Sequence, residues 1–133
     1  MRILLADDDN RFGPVLRNEL EAENYYVDLV SNGYEAVLRV LDGNKYDVVL
    51  LDIMMPLLDG RCALSIIKRL DPEIPVITFS GGAGKQEIND SLRLGAVKCL
   101  SKPFEIKELK YHIDSLCLRD QSAGRAQPGK TLT

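Results

Sequence analysis

The stretch Val48-Val49-Leu50-Leu51-Asp52 decides the fold, because it is a continuous apolar run that ends in a carboxylate. Three other runs also lead into polar residues: residues 3–6 into Asp7-Asp8-Asp9, residues 76–79 into Ser80, and residues 97–100 into Ser101-Lys102-Pro103. Short apolar runs of this kind are typical of parallel strands that are buried on both faces. The carboxyl ends of parallel strands meet at one edge of a sheet, so we expect the acids, the hydroxyl and the lysine to share one crevice.

The composition is that of a soluble protein with one domain. The chain has 133 residues, of which 45% are hydrophobic and 28% are charged. A net charge of -3 and the lack of a basic stripe argue against nucleic-acid binding. No apolar stretch has the length of a membrane span or the order of a signal peptide, so we expect a cytoplasmic protein. Cys62, Cys99 and Cys117 lack metal-binding spacing and are predicted to be reduced thiols in the core.

Helix and strand signals alternate along the chain. Five stripes, that is, sets of apolar residues spaced three or four apart as on one face of a helix, predict five helices, and Asn10 is predicted to cap the first. The stripes are Phe12, Val15, Leu16 and Leu20; Ala36, Val37, Val40 and Leu41; Ala63, Ile66, Ile67 and Leu70; Ile88 and Leu92; and Ile106, Leu109, Ile113, Leu116 and Cys117. Residues 25–30 supply a further strand. This alternation predicts an α/β fold, a doubly wound parallel sheet of five strands with helices on both faces. Residues 1–119 would form the domain, and residues 120–133, which are polar and lack a stripe, are predicted to be a disordered tail or linker remnant.

Carboxylates that are held close together repel one another and raise one another's pKa. A divalent cation relieves this repulsion, and a site made only of oxygen atoms suits Mg²⁺. A carboxylate beside a metal and an ammonium group can attack phosphorus and hold an aspartyl phosphate. Mg²⁺ and Lys102 would neutralise the phosphoryl charge, and the Ser80 hydroxyl would donate to a phosphoryl oxygen.

These residues resemble the receiver domains of two-component response regulators over residues 2–118. The matching motifs are Asp7-Asp8, the block Leu51-Asp52-Ile53-Met54-Met55-Pro56 with Asp59-Gly60, the strand-end Ser80, and Lys102-Pro103-Phe104. The resemblance implies a sheet in the order 2-1-3-4-5 and a cis bond between Lys102 and Pro103. It also implies that Asp52 accepts a phosphoryl group from the phosphohistidine of a histidine kinase, and that Lys102 then pairs with that group.

The resemblance further implies a metal site and a set of partners. Asp8, Asp52 and the Met54 carbonyl would hold Mg²⁺ (Mn²⁺ is the alternative), and Asp7 would act largely through water. The partners would be a sensor histidine kinase or phosphotransfer protein and a downstream effector or output domain, with a phosphorylation-dependent homodimer as a further option. The chain would be a switch that catalyses only its own phosphorylation and dephosphorylation, and its output face would be the fourth helix, last strand and fifth helix.

One residue and one loop depart from the pattern of that family. Cys99 stands three residues before the lysine, where receivers usually carry Tyr or Phe. Gly81, Gly82 and Gly84 make the loop after Ser80 rich in glycine, which imposes little steric restriction. We expect the signal to pass through this loop more than through a rotating ring, and we predict that the loop is the most mobile ordered segment.

Other readings of the same residues stay open. A phosphatase of the haloacid-dehalogenase type needs a second Asp where this chain has Met54, and a nucleotide-binding module needs a first loop rich in glycine and hydroxyls. A degenerate receiver would bind partners without phosphorylation. Asp9 is interpreted as a helix cap or a solvated neighbour, and Asp59-Gly60 as a turn with a helix cap. A stand-alone regulator, a phosphorelay intermediate and an excised receiver all fit the sequence.

Overall fold

The computed structural model describes residues 1–55, 58–81 and 84–125, the last nine of these by their backbone alone. The strands are β1 (Arg2–Ala6), β2 (Tyr26–Val30), β3 (Val48–Asp52), β4 (Val76–Gly81) and β5 (Lys98–Lys102). The helices are α1 (Phe12–Glu21), α2 (Gly33–Leu41), α3 (Gly60–Leu70), α4 (Lys85–Arg93) and α5 (Ile106–Arg125). The chain divides into two compact units, Met1–Pro103 and Phe104–Thr133, and α5 belongs to the second.

The strands form one parallel sheet in the order β2-β1-β3-β4-β5, which confirms the predicted fold. Every residue of β3 is buried, as expected for a central strand covered on both faces. The register pairs Ala6 with Leu51 and Asp52 with Phe79. The residues that follow β1 therefore lie beside the end of β3, at the carboxyl edge of the sheet.

The start of α1 differs from the prediction that Asn10 is its cap. The Asp9 carboxylate accepts hydrogen bonds from the backbone N–H groups of Arg11 and Phe12, at 2.8 and 3.1 Å. Asn10 was therefore the wrong residue, because a side-chain oxygen two or three residues before the unpaired N–H groups reaches them, and Asp9 has that spacing. In the predicted stripe, Leu16 and Leu20 are buried, but Val15 is exposed.

The buried face of α3 is shifted from the predicted one. Its buried residues are Gly60, Ala63, Leu64 and Ile67, whereas Ile66 and Leu70 are exposed by 37% and 42%. The helical period of three and four residues fits both sets, and packing against the sheet selects the set that includes Leu64. Gly43 and Gly95, which follow α2 and α4, have φ angles of +87° and +115°, the left-handed conformation in which glycine commonly ends a helix.

The predicted core positions of the cysteines are only partly right. Cys99 is buried, but Cys62 is exposed on α3, because it lies on the helix face opposite to Leu64. The side chain of Cys117 lies outside the described residues.

The second unit contains α5, in which Leu109 and Ile113 are buried as the stripe predicts. The helical backbone continues to Arg125, past the boundary at residue 119 and into the segment predicted to be disordered. The boundary at residue 119 and the disordered tail after it stay predictions. Residues 126–133 of the predicted tail lie outside the described residues. None of the helices in the described ranges has the length and apolar character needed to cross a bilayer.

Candidate functional site

Three carboxylates meet at the carboxyl edge of the sheet. Asp7 follows β1 directly, Asp8 comes next, and Asp52 is the last residue of the neighbouring β3. Each offers a carboxylate oxygen within 4.8 Å of the others. Asp7 and Asp52 are buried, with 3% and 4% exposure, whereas Asp8 is exposed. The sequence therefore predicted this cluster, and the structure adds that two acids are withdrawn from solvent while the third faces it.

Backbone hydrogen bonds orient the two buried carboxylates. The N–H of Asp9 donates to Oδ1 of Asp7 at 2.7 Å, and the N–H of Met54 donates to Oδ1 of Asp52 at 3.0 Å. In both cases the donor is two residues after the acid, which is the geometry of an Asx turn. The remaining oxygen, Oδ2, of each acid is thereby turned towards the same neighbour, Lys102.

Lys102 is the last residue of β5, and its ammonium group lies between the two buried acids. Its Nζ is 3.3 Å from Oδ2 of Asp7 and 3.3 Å from Oδ2 of Asp52. The peptide bond between Lys102 and Pro103 is cis, as the family resemblance implies. The structure thus brings together Asp7, Asp52 and Lys102, which the sequence placed at the ends of three strands.

Two phenylalanines that were not predicted as site residues surround the same ammonium group. Nζ of Lys102 is 4.3 Å from the ring centroid of Phe12 and 5.2 Å from that of Phe79, and the two ring centroids are 5.8 Å apart. Both distances suit a cation–π interaction. Phe79 stands opposite Asp52 in the sheet, and that position beside the predicted crevice was the signal that could have identified it.

The electrostatics of the site disfavour negative charge on the buried acids. Burial raises the pKa of Asp7 and of Asp52, and their mutual proximity adds to the rise at Asp52. Hydrogen bonds from the backbone and the charge of Lys102 oppose this rise in both cases without cancelling it. The pKa of Asp9 is lowered, because its carboxylate accepts from the backbone N–H groups of Arg11 and Phe12. The positive charge of Lys102 therefore does not fully balance the negative charges of Asp7 and Asp52. Asp9 belongs to the helix cap and not to this cluster.

Ser80 lies at the end of the strand β4 and Met54 just after the strand β3, where the sequence predicts them. Ser80 is buried and follows Phe79, the register partner of Asp52, at the carboxyl end of β4. Met54 lies two residues after β3 with its N–H on Asp52. The structure does not test the phosphoryl contact expected of Ser80 or the metal contact expected of the Met54 carbonyl.

Three other features predicted near the site are the helix cap at Asp59, the glycine-rich loop after Ser80 and the replacement of an aromatic residue by Cys99. Asp59 caps α3 by accepting from the N–H of Arg61 at 2.7 Å, as predicted. Gly81 ends β4, but Gly82 and Ala83, in the loop predicted to be mobile, lie outside the described residues. Cys99 is buried in β5 at the position where the resemblance would place an aromatic ring.

Comparison with known proteins agrees with this geometry. Residues 3–114 match the family model described as the response regulator receiver domain. The chain is 34% identical to the transcriptional regulatory protein RprY of Bacteroides fragilis over 90% of its length, and 33% identical to PcoR of Escherichia coli over 91%. It spans about half of each of these relatives, 50% and 53% respectively.

Solved structures give the same result. The receiver domain of the Francisella response regulator 1452 superposes with a TM-score of 0.82 at 31% identity, over 89% of this chain and 97% of that one. The receiver domain of the sensor histidine kinase PA1611 of Pseudomonas aeruginosa PAO1, which has a magnesium ion coordinated in its active site cleft, superposes with a TM-score of 0.80 at 29% identity, over 86% and 95%. With a parallel sheet in the predicted order, an acidic cluster at its carboxyl edge and a family match over most of its length, this chain belongs to the receiver domains of response regulators, the signal-transduction proteins of two-component systems.

Proposed function

We propose that this receiver domain is a phosphorylation-operated switch in which Asp52 accepts a phosphoryl group from the phosphohistidine of a histidine kinase. The observation that carries the proposal is the position of the Lys102 ammonium group, 3.3 Å from Asp52 and 3.3 Å from Asp7 at a buried edge of the sheet. A carboxylate with a cation beside it can receive a phosphoryl group, because transfer needs mainly positioning and charge neutralisation. The functional unit proposed is residues 1–119.

The reaction is an exchange of bonds at phosphorus. A carboxylate oxygen of Asp52 forms a bond to phosphorus while the phosphorus–nitrogen bond of the phosphohistidine breaks, and the imidazole leaves with the electron pair. In the later dephosphorylation, a water oxygen attacks phosphorus, the bond to Asp52 breaks, and inorganic phosphate leaves. After the transfer, the Lys102 ammonium group would pair with the phosphoryl oxygens instead of the carboxylate. The Ser80 hydroxyl would donate a hydrogen bond to one of those oxygens.

The donor set fits Mg²⁺, since three carboxylate oxygens within 4.8 Å of one another suit a hard cation. Asp8 and Asp52, with the Met54 carbonyl, would hold the ion directly, and Asp7 would act through water. Bound Mg²⁺ would neutralise charge on the phosphoryl oxygens. The magnesium ion in the PA1611 receiver supports this choice, and Mn²⁺ is the alternative.

The proposed partners follow from the same chemistry. A sensor histidine kinase or a phosphotransfer protein would supply the phosphoryl group, and an effector protein or output domain would read the phosphorylated state. Phosphorylation adds negative charge at Asp52 and so favours the conformation in which Ser80 and Lys102 contact the phosphoryl group.

The test uses acetyl phosphate as a phosphoryl donor. We expect that the protein with Mg²⁺ gains the mass of one phosphoryl group, and that the adduct survives acid but is removed by hydroxylamine, as an acyl phosphate is. Without Mg²⁺, in the presence of a chelator, the adduct should form much more slowly. If intact-mass spectrometry detects no adduct under either condition, the proposed phosphorylation is wrong.

Mg²⁺ should stabilise the folded protein against heat. At about ten times its dissociation constant, an ion that binds only the folded state adds about 1.4 kcal/mol to the free energy of unfolding, which raises the midpoint by a few degrees. We expect Asp8→Asn to remove most of this gain and Asp9→Asn to retain it, because the Asp9 carboxylate caps α1 instead of joining the cluster. Thermal unfolding with and without Mg²⁺ measures the difference. An undiminished gain in Asp8→Asn would contradict the assignment of Asp8 to the metal.

Replacing Phe12 should disturb Lys102 more than it disturbs the acids. In Phe12→Leu the ammonium group loses the ring that lies 4.3 Å away, and a cation–π contact of about 1 kcal/mol corresponds to roughly a fivefold lower rate of phosphorylation. Mg²⁺ affinity should change little. Phe12→Tyr keeps the ring and should restore the rate. Rates with acetyl phosphate, together with the ring-current shift of the Lys102 Cε protons, test this; equal rates in Phe12→Leu and Phe12→Tyr would oppose it.

A further inference from the structure

The outer surfaces of α2 and α3 carry two apolar stripes that the described fold leaves uncovered. On α2, Tyr34 is 57% exposed to solvent and Leu41 is 59% exposed; on α3, Ile66 is 37% exposed and Leu70 is 42% exposed. Leu38 and Cys62 complete the two stripes at helical spacing, Leu38 half-buried and Cys62 exposed. Isolated exposed apolar residues are common, but a contiguous set of them marks an interaction surface.

The stripe on α2 lies on the flank that faces α3. Val37 and Val40 pack against the core, so they mark the inner face of α2. Arg39 marks the flank away from α3, because its guanidinium is 3.7 Å from Asp28 of the edge strand β2. With a turn of 3.6 residues, Tyr34, Leu38 and Leu41 fall on the opposite flank.

The stripe on α3 lies on the flank that faces α2. Arg61 contacts Asp90 of α4 at 3.4 Å, and Nζ of Lys68 donates to the carbonyl of Ile74 before β4 at 2.8 Å, so both mark the flank towards α4. The positions of Cys62, Ile66 and Leu70 are on the other side of the helix. The two stripes therefore line one groove, the α2–α3 groove: Tyr34, Leu38, Leu41, Cys62, Ile66 and Leu70.

Both walls of the groove are apolar, and they begin and end at about the same level along the helix axes. α2 and α3 pack against each other and run in the same direction, because each connects two parallel strands on the same face of the sheet. Their first turns are level, since a methyl group on Gly33 would lie 3.2 Å from Cβ of Ala63. Leu41 is consequently level with Leu70, one at each side of the groove near the ends of the helices.

We propose that the α2–α3 groove is an interface with a second copy of this chain. The outer rims of the groove bear opposite charges near their ends, with exposed Asp42 at the end of α2 about three residues, or roughly 4.5 Å, further along than exposed Arg69 on α3. Arg39, which is level with Arg69, is turned towards β2 by its ion pair with Asp28. A two-fold axis that runs along the groove places α2 of one copy over α3 of the other. Each Asp42 then lies within reach of the long side chain of an Arg69 of the other copy, twice in the dimer, and the four stripes cover one another.

The charge pattern favours a copy of the chain over a partner of another kind. A foreign helix with one sign of charge would be repelled by one rim, whereas the rotated copy satisfies both. Six groove side chains from each copy are far fewer than the roughly 20–30 residues a side of a standard interface, so we expect a weak dimer.

Sedimentation equilibrium over a range of concentrations tests the dimer. The native chain should show a monomer–dimer equilibrium, and Leu41→Glu should be monomeric at every concentration. Val15→Glu is the matched control, since Val15 is an equally exposed apolar residue, 55%, on α1, and it should dimerise like the native chain. A native chain that stays monomeric at several hundred micromolar, or loss of the dimer in Val15→Glu as well, would overturn the proposal.

Charge reversal tests the orientation. Asp42→Arg and Arg69→Asp should each weaken the dimer about tenfold, because each reversal places like charges together at two symmetry-related points. The double variant should restore the native dissociation constant to within about threefold, and alkylation of Cys62 should slow as the dimer forms. Additive weakening in the double variant would exclude this two-fold arrangement, and circular dichroism of every variant establishes that it is folded.

Discussion

Asp52→Asn is expected to leave no detectable phosphoryl adduct after treatment with acetyl phosphate and Mg²⁺. The amide cannot serve as the nucleophile, and the neighbouring acids are poorly placed to replace it. Asp7 is as buried as Asp52, with its two oxygens bound to the N–H of Asp9 and to Lys102. Asp8 is exposed and has no strand end to position it. Intact-mass spectrometry of the native chain and the variant, treated side by side, measures the loss.

The same variant should be more stable than the native chain when no Mg²⁺ is present. Burial and Asp7 raise the pKa of Asp52 above its ordinary value, so the folded state binds the proton more tightly than the unfolded state does. The stabilisation from this group is present at low pH and is lost as the pH rises through the folded-state pKa. At neutral pH the charged carboxylate is therefore a net destabilising group, and its neutral isostere should raise the melting midpoint by a few degrees.

Asp9→Asn is the control for both results. It makes the same chemical change two residues after Asp7, yet asparagine also caps helices well, so α1 should be preserved. We expect normal phosphorylation and a nearly unchanged midpoint in Asp9→Asn. A phosphoryl adduct of undiminished yield in Asp52→Asn would show that another group is the acceptor, and the proposed mechanism would be abandoned.

The sheet and its acidic edge were predictable because they depend on local patterns. Continuous apolar runs such as β3 are buried on both faces, and the parallel arrangement places Asp7 and Asp52 side by side without further information. Helix faces were less certain, since the spacing of Ile66 and Leu70 fits the same period as the spacing of Leu64. Only packing against the sheet separates those two sets.

The features that the sequence did not predict depend on elements that are distant in the chain. The aromatic contacts of Lys102 combine the start of α1, the end of β4 and the end of β5, and no local pattern marks Phe12 as a neighbour of a lysine 90 residues later. The different exposure of Asp7 and Asp8 is a second case. Adjacent residues after a strand point to opposite sides, and the register of the sheet decides which side is covered.

Gly60→Ala should destabilise the protein strongly, although helix propensity alone predicts a gain. Alanine is favoured over glycine in a helix by up to about 1 kcal/mol. At this position, however, a methyl group would lie 2.8 Å from the carbonyl oxygen of Ile53 and even closer to Cα of Ile53 and the carbonyl oxygen of Asp52. The Gly60 N–H also donates to the Ile53 carbonyl at 2.9 Å, so the start of α3 cannot move away without breaking this bond. We expect a loss of about 3 kcal/mol in the free energy of unfolding, a value typical of backbone clashes in packed regions.

Gly81→Ala is the matched control, because among the described residues a methyl group there would have no neighbour within 4 Å, and the backbone is not in the left-handed region. This change should leave the free energy of unfolding unaltered or raise it by about 0.5 kcal/mol. Urea unfolding of the two variants and the native chain measures the contrast. Since the clash at Gly60 falls on the backbone of Asp52 and Ile53, the folded fraction of Gly60→Ala should also accept phosphoryl groups more slowly. If Gly60→Ala is as stable as Gly81→Ala, α3 does not start against the backbone of the acceptor residue, and the support that this contact gives to Asp52 is absent.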